Sequence, residues 1–173
     1  TITGGLGADT FVINQLHPAT VVGGSGNAGT LSGYDIYKDF NATEDKLDLF
    51  GAPVSAGNTV GSDGINSTLS INAANNLYVK SHAISNGIIT FDDADTFASA
   101  TPISLAALTS TSPIAAIVQY LQANDIGDVG STVAFNATIN GVVHTYIYEQ
   151  LTTNAAGTTS GNSIFVDLEG VTI

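Results

Sequence analysis

Apolar residues recur along this chain with two periods. Ile114, Ile117, Val118 and Leu121 fall at i, i+3, i+4 and i+7, a single helical stripe, and Ser112-Pro113 ahead of them offers an N-cap followed by a first helical residue. The spacing predicts one helix over about 113–123, ending near Asn124 and Gly127. A stripe without basic flanks is expected to face a core rather than a membrane surface or a partner helix. Elsewhere the period is two. Thr68-Leu69-Ser70-Ile71 and Leu77-Tyr78-Val79-Lys80 alternate, and Ile88-Ile89-Thr90-Phe91 is apolar and β-branched; Asn75-Asn76 and Asn86-Gly87 lie between them as turns. A meander is the simplest topology for these three strands. Residues 132–139 and 142–149 flank Asn140-Gly141, a strong hairpin signal, and 163–173 reads as a further strand after a polar loop at 151–161. Residues 50–65, rich in glycine and serine and containing Pro53, read as a loop, and 104–108 as a short helical turn. The chain is therefore expected to be mainly β with one short helix.

Composition narrows the partners. Of 173 residues, 43% are apolar and 10% charged, a balance that favours a packed chain over a disordered one. A chain of this length can bury one substantial core, or one core with a small appendage, and a single compact unit is expected. Fifteen Asp and Glu stand against three basic residues, Lys38, Lys46 and Lys80, giving a net charge of −12. Nucleic acid and anionic lipid both need basic side chains to neutralise phosphate, so neither is an expected partner. Divalent cations suit this balance better, although acidity also serves solubility. No stretch approaches the ~20 apolar residues of a spanning helix. With no Cys, neither a disulfide framework nor a thiolate metal site is available.

The acids are not evenly spread. Gly4-Gly5-Leu6-Gly7-Ala8-Asp9-Thr10-Phe11-Val12 fits G-G-x-G-x-D-x-U-x at every specified position. Glycines allow the positive φ of a tight turn that aims carbonyl oxygens at one centre, and Asp9 adds a carboxylate, the oxygen cage that hard Ca²⁺ prefers. A plain glycine-rich surface turn would carry the same residues. Phe11 is expected to point inward from a short strand, with Ile2 in the equivalent slot before the turn. Tyr34-Asp35-Ile36-Tyr37-Lys38-Asp39-Phe40 and Glu44-Asp45-Lys46-Leu47-Asp48-Leu49 form D-x-I-x-D-F…D-K-[IL]-D-L, two short strands around a turn at 41–43. Alternation would put Asp35 and Asp39 on one strand face, within reach of one ion; a solvated polar face is the rival reading. Asp45 and Asp48 read as cap and turn residues. Gly23-Gly24-Ser25-Gly26-Asn27-Ala28 looks like a second such turn, but Ala28 stands where the motif has Asp.

Together these segments resemble the end of the calcium-binding region of the RTX (repeats-in-toxin) family, proteins exported by type I secretion that include serralysin-like proteases, lipases, adhesins and surface-layer proteins. The resemblance implies a capped repeat array followed by a C-terminal secretion region, which the hairpin and the closing Phe165-Val166-Asp167-Leu168-Glu169-Gly170-Val171-Thr172-Ile173 also resemble. A chain that opens inside a strand–turn unit suggests further repeats upstream. The expected layout is a calcium-binding parallel β-roll remnant and cap at 1–49 and a β-sandwich-like body with the helix at 50–173. Gly5 and Gly7, by carbonyl, and Asp9 would hold one side of the ion. The resemblance puts Asp35 and Asp39 on the other. Asp92-Asp93-Ala94-Asp95 is a second candidate calcium site, with a helix start or solvated loop as rivals; it lacks the Gly and the Glu of an EF-hand loop.

Enzyme signatures are not visible. His17, His82 and His144 are far apart, no H-E-x-x-H or G-x-S-x-G occurs, and the glycine-rich stretches lack the Lys of a phosphate loop. The reading is a non-catalytic, secreted calcium-binding module, extracellular or at the cell surface, whose partners are calcium ions and the type I secretion machinery. Low charge with abundant Thr, Asn, Gly and Ala resembles a surface-layer protein, for which self-assembly or cell-surface glycan contact follows. The alternatives are a carbohydrate- or ice-binding adhesin module, with Tyr34, Tyr37, Tyr146 and Tyr148 as stacking residues, and the non-catalytic tail of a serralysin-like protease or a lipase.

Overall fold

The computed structural model describes residues 1–14, 19–22, 29–62, 68–98, 102–152 and 163–173. The Gly23–Ala28 turn, His17 and nearly all of the 151–161 loop lie outside them. Among the described residues, fourteen strands accompany one α-helix and a short 3-10 turn at Ala73–Asn75: β1 (Thr10–Val12), β2 (Thr20–Val22), β3 (Thr30–Ser32), β4 (Asp35–Tyr37), β5 (Lys46–Asp48), β6 (Val54–Ser55), β7 (Thr59–Ser62), β8 (Ser70–Asn72), β9 (Leu77–Tyr78), β10 (Ser81–Ser85), β11 (Ile88–Asp92), α1 (Ser112–Ala123), β12 (Ser131–Ile139), β13 (Val142–Gln150) and β14 (Ser163–Glu169). The fold is mainly β, as the alternation predicts. One mixed eight-stranded sheet dominates, ordered β4-β14-β13-β12-β11-β10-β7, with β6 beside β12.

The hairpin β12–β13 pairs antiparallel from Thr132↔Glu149 to Ile139↔Val142, and Asn140 and Gly141 take φ of 51° and 83°, the positive values of a type I′ turn. Asn86 and Gly87, at 51° and 78°, close β10–β11 in the same way. The 68–92 region is not a three-strand meander. β8 and β9 form their own hairpin, and β10 and β11 join the large sheet. The loop expected at 50–65 contains β6, which runs parallel to β12 with Val54 N–H donating to Gly130 O and Ala56 N–H to Thr132 O, and β7, which edges β10. A two-residue strand is defined by its partner and leaves no pattern of its own. In β7 the pattern is broken by Gly61, over which the buried His82 imidazole packs so closely that a Cβ would lie 2.5 Å from its Cε1.

α1 begins one residue before the expected start. Thr111 holds the cap position without a side-chain cap bond, and Pro113 sits in the first turn. The predicted stripe is core, and burial extends beyond it: Ile114, Ala115, Ala116, Ile117, Val118, Tyr120 and Leu121 are all fully buried. The reason is that α1 is covered on both sides. Phe91, Phe135, Tyr146, Tyr148 and Phe165 of the sheet meet it on one side, and Leu31 of β3 and Ile71 of β8 belong to the same core on the other. The body is thus sandwich-like, with the helix as filling. Residues 104–108 form a non-helical connection whose Leu108 bridges Ile139.

The opposite face of the sheet carries a second core. Ile164, Val166 and Leu168 of β14 meet Phe11, Ile13, Tyr37 and Leu49 there. Buried on both faces, β14 is apolar almost without interruption, as double coverage requires. Asp167 is the exception. Its buried carboxylate pairs with His144 Nδ1 at 2.9 Å, and His144 stacks on Tyr146 with ring centroids 5.8 Å apart.

Removing one member of a buried pair leaves the other uncompensated, so His144→Ala is expected to lose about 3–5 kcal/mol of stability in urea unfolding. A double variant that also replaces Asp167 with an apolar residue should recover much of that loss, and equal losses for single and double variants would refute this account of the pair.

Candidate metal centre

Two strand–turn–strand coils stack in parallel at the edge of the body. In the first coil Ile2 precedes the glycine turn and β1 follows it; in the second β4 precedes the turn and β5 follows. Ile2 bridges Tyr37 in parallel, with Ile2 N–H donating to Ile36 O at 2.7 Å and Lys38 N–H to Ile2 O at 3.2 Å. On the far side of the turns β1 pairs β5 in parallel, Phe11 opposite Leu47. β4 continues in parallel onto β14, at Val166↔Asp35, so the coils extend the large sheet. Phe11 turns inward as expected, edge-on to Tyr37 with centroids 4.8 Å apart.

The glycine turn is held by carboxylates of the second coil. Asp39 accepts N–H bonds from Gly4 on Oδ1 at 2.9 Å and from Gly5 on Oδ2 at 2.8 Å. The Gly5 and Gly4 amides hold its carboxyl below the usual carboxylate range, because they stabilise only the ionised form. Asp45 spans both coils, accepting from Asp9 N–H at 2.9 Å and from Asn41 N–H at 2.8 Å. It is the turn residue that the sequence suggested. Gly5 and Gly7 take φ of 98° and 112°, which a side chain would oppose. Gly4 is needed for another reason. Asp9 folds back over it, and a Cβ at position 4 would lie 2.5 Å from Asp9 Oδ2.

Asp9 is therefore the unusual member. Its Oδ2 is buried and has no hydrogen-bond partner, whereas both oxygens of Asp39 and both of Asp45 accept backbone N–H groups. An orphaned carboxylate oxygen inside a turn of glycines fits a small hard cation. Asp35 lies elsewhere, half-buried on β4 with its charge felt by Tyr37. The strand ends at Tyr37 and the chain bends at Lys38 and Asp39, so the alternation that would align Asp35 with Asp39 is interrupted. Among the described residues no three His, Asp or Glu side chains converge as a metal-binding group.

The second candidate cluster is spread out. Asp92 is buried and organises the loop after β11, accepting Ala94 N–H at 3.1 Å and Ala98 N–H at 3.0 Å. Asp95 pairs with Lys80 at 3.4 Å and Asp93 is exposed. Residues 93–98 are not helical. The tyrosines offered for sugar stacking face inward: Tyr37, Tyr146 and Tyr148 are buried and Tyr34 is half-buried, edge-on to Phe165. Sequence reasoning passed over the His144–Asp167 pair and the buried Glu149, both on strands whose alternation suggested no special chemistry. No family model, curated protein or solved structure matches the chain.

Asp39→Asn offers one acceptor oxygen where Gly4 and Gly5 need two, so its melting temperature should fall below wild type at neutral pH. A depressed carboxyl stabilises the fold above its unfolded value of about 3.8 and loses that effect as pH falls through the lower folded value. The two melting curves should therefore converge in strong acid, and a gap that persists there would assign the loss to packing.

Proposed function

We propose that the chain is a calcium-binding, non-catalytic module of a secreted RTX-type protein, of surface-layer or other extracellular structural kind. The observation that carries this reading is the unpartnered Asp9 oxygen inside a G-G-x-G-x-D turn stacked in parallel on a second acidic coil. Asp9 and the carbonyls of Gly5 and Gly7 would hold the ion. Asp39 shapes the turn through Gly4 and Gly5 and so acts on the site indirectly, while Asp35, on β4, stands outside the proposed set. Calcium supplies charge compensation for an acidic coil and couples its binding free energy to folding. A ligand at a hundred times its Kd adds about 2.7 kcal/mol to the folded state. A chain of this kind would stay loose where calcium is scarce and close outside the cell, which suits export by type I secretion machinery. The buried tyrosines leave the glycan-binding alternative without the residues that suggested it.

Calcium titration by isothermal calorimetry, with melts of wild type and Asp9→Ala, tests the reading. Saturable binding and a calcium-dependent rise in melting temperature that Asp9→Ala abolishes are the expected results. Absence of binding at extracellular calcium concentrations would reduce the motif to a turn and withdraw the proposal.

A further inference from the structure

Glu149 has no role in the coils' carboxylate chemistry, yet it is the most isolated acid among the described residues. It is fully buried near the end of β13, and neither Oε1 nor Oε2 has a hydrogen-bond partner. It faces the roll side of the sheet, with Ile147 two residues before it and Leu151 two after. Thr132 of β12 and Ile164 of β14 stand directly opposite. Gly51, in the turn that follows β5, lies over it. A Cβ at Gly51 would lie 3.6 Å from Glu149 Oε1 and equally far from Leu151 Cδ2. None of these neighbours is ionisable, and Thr132 spends its hydroxyl proton on Gly130 O at 2.9 Å. Burial alone pushes the Glu149 carboxyl up to about 7, with no charged group adding to or opposing the shift.

A carboxyl without donors is tolerated in such surroundings only while it keeps its proton. An apolar groove of about 410 Å³ adjoins its neighbours, with Leu47, Leu49, Val54, Thr132 and Ile147 among its lining residues. We propose that Glu149 is a proton-operated latch between the roll and the body: protonated, it lets the turn at Gly51 seat on β13, and ionised, it loosens that seat. The latch operates whether or not the glycine turn binds calcium.

The folded protein retains this proton between about 4.5 and about 7, while the unfolded chain releases it. Stability therefore falls as pH rises through that window and levels off above it. The test compares urea midpoints of wild type and Glu149→Gln at pH values below and above the window, at one fixed calcium concentration. Carbon-13 titration of the Glu149 carboxyl in the wild type accompanies it, so the proposal stays testable even where the variant folds poorly. The expected results are a carboxyl midpoint near 7, a wild-type midpoint that drops with rising pH, and loss of most of that drop in Glu149→Gln. A carboxyl that titrates near 4.5, or a Glu149→Gln profile parallel to wild type, overturns the latch. So does a Glu149→Gln protein that loses calcium affinity while keeping the wild-type pH profile, since the carboxylate would then serve a cation.

Discussion

The molecule depends on one strand that is covered on both faces. Ile164, Val166 and Leu168 of β14 enter the core shared with the roll, and Phe165 enters the core around α1. Full burial of such a side chain stabilises by about 1.5–3 kcal/mol, so one seven-residue strand anchors two layers at once. The polar cost of that position falls on Asp167, which is met by His144. β4 then reads its register from β14, and the coils read theirs from β4, so the geometry of the glycine turn is set from the body outward.

Within the coils, backbone amides and carboxylates do the work that side-chain packing does elsewhere. Asp39 and Asp45 satisfy N–H groups of tight turns that no strand partner could reach. Both acids are thereby fixed in place while Asp9 retains an unsatisfied oxygen. This division separates residues that build the turn from the one that could bind, and it explains why a cluster of acids on a chain of net charge −12 need not repel itself apart.

The sequence made some of this visible. The Asn-Gly hairpins were legible because positive φ at two adjacent positions demands particular residues, and α1 because its apolar spacing has no strand equivalent. The G-G-x-G-x-D turn was legible as a turn that gathers oxygens. The partnership of Asp39 with Gly4 and Gly5 was not, since it follows from β4 stopping at Tyr37, a boundary that alternation cannot mark. β10 escaped notice because its inward residues include His82, a polar side chain buried against Tyr120 with Nδ1 2.7 Å from the hydroxyl. Glu149 escaped for the same reason in reverse. A Glu ending an alternating strand reads as solvent-facing, and nothing in its own strand marks the approach of the distant Gly51.

The double coverage of β14 also bears on how the chain reaches this state. Val166 is adjacent to Asp35 although about 130 residues separate them, and both cores take side chains from 164–168. A segment that stops before residue 163 can form the β12–β13 hairpin and α1, but it lacks Phe165 in the core around α1 and Ile164, Val166 and Leu168 in the other. Such non-local closure slows folding, because the entropy of bringing distant segments together is spent before their contacts repay it. Local helix and hairpin are therefore expected to form early and the two layers to close late and together, with the last described strand as the step on which the others wait.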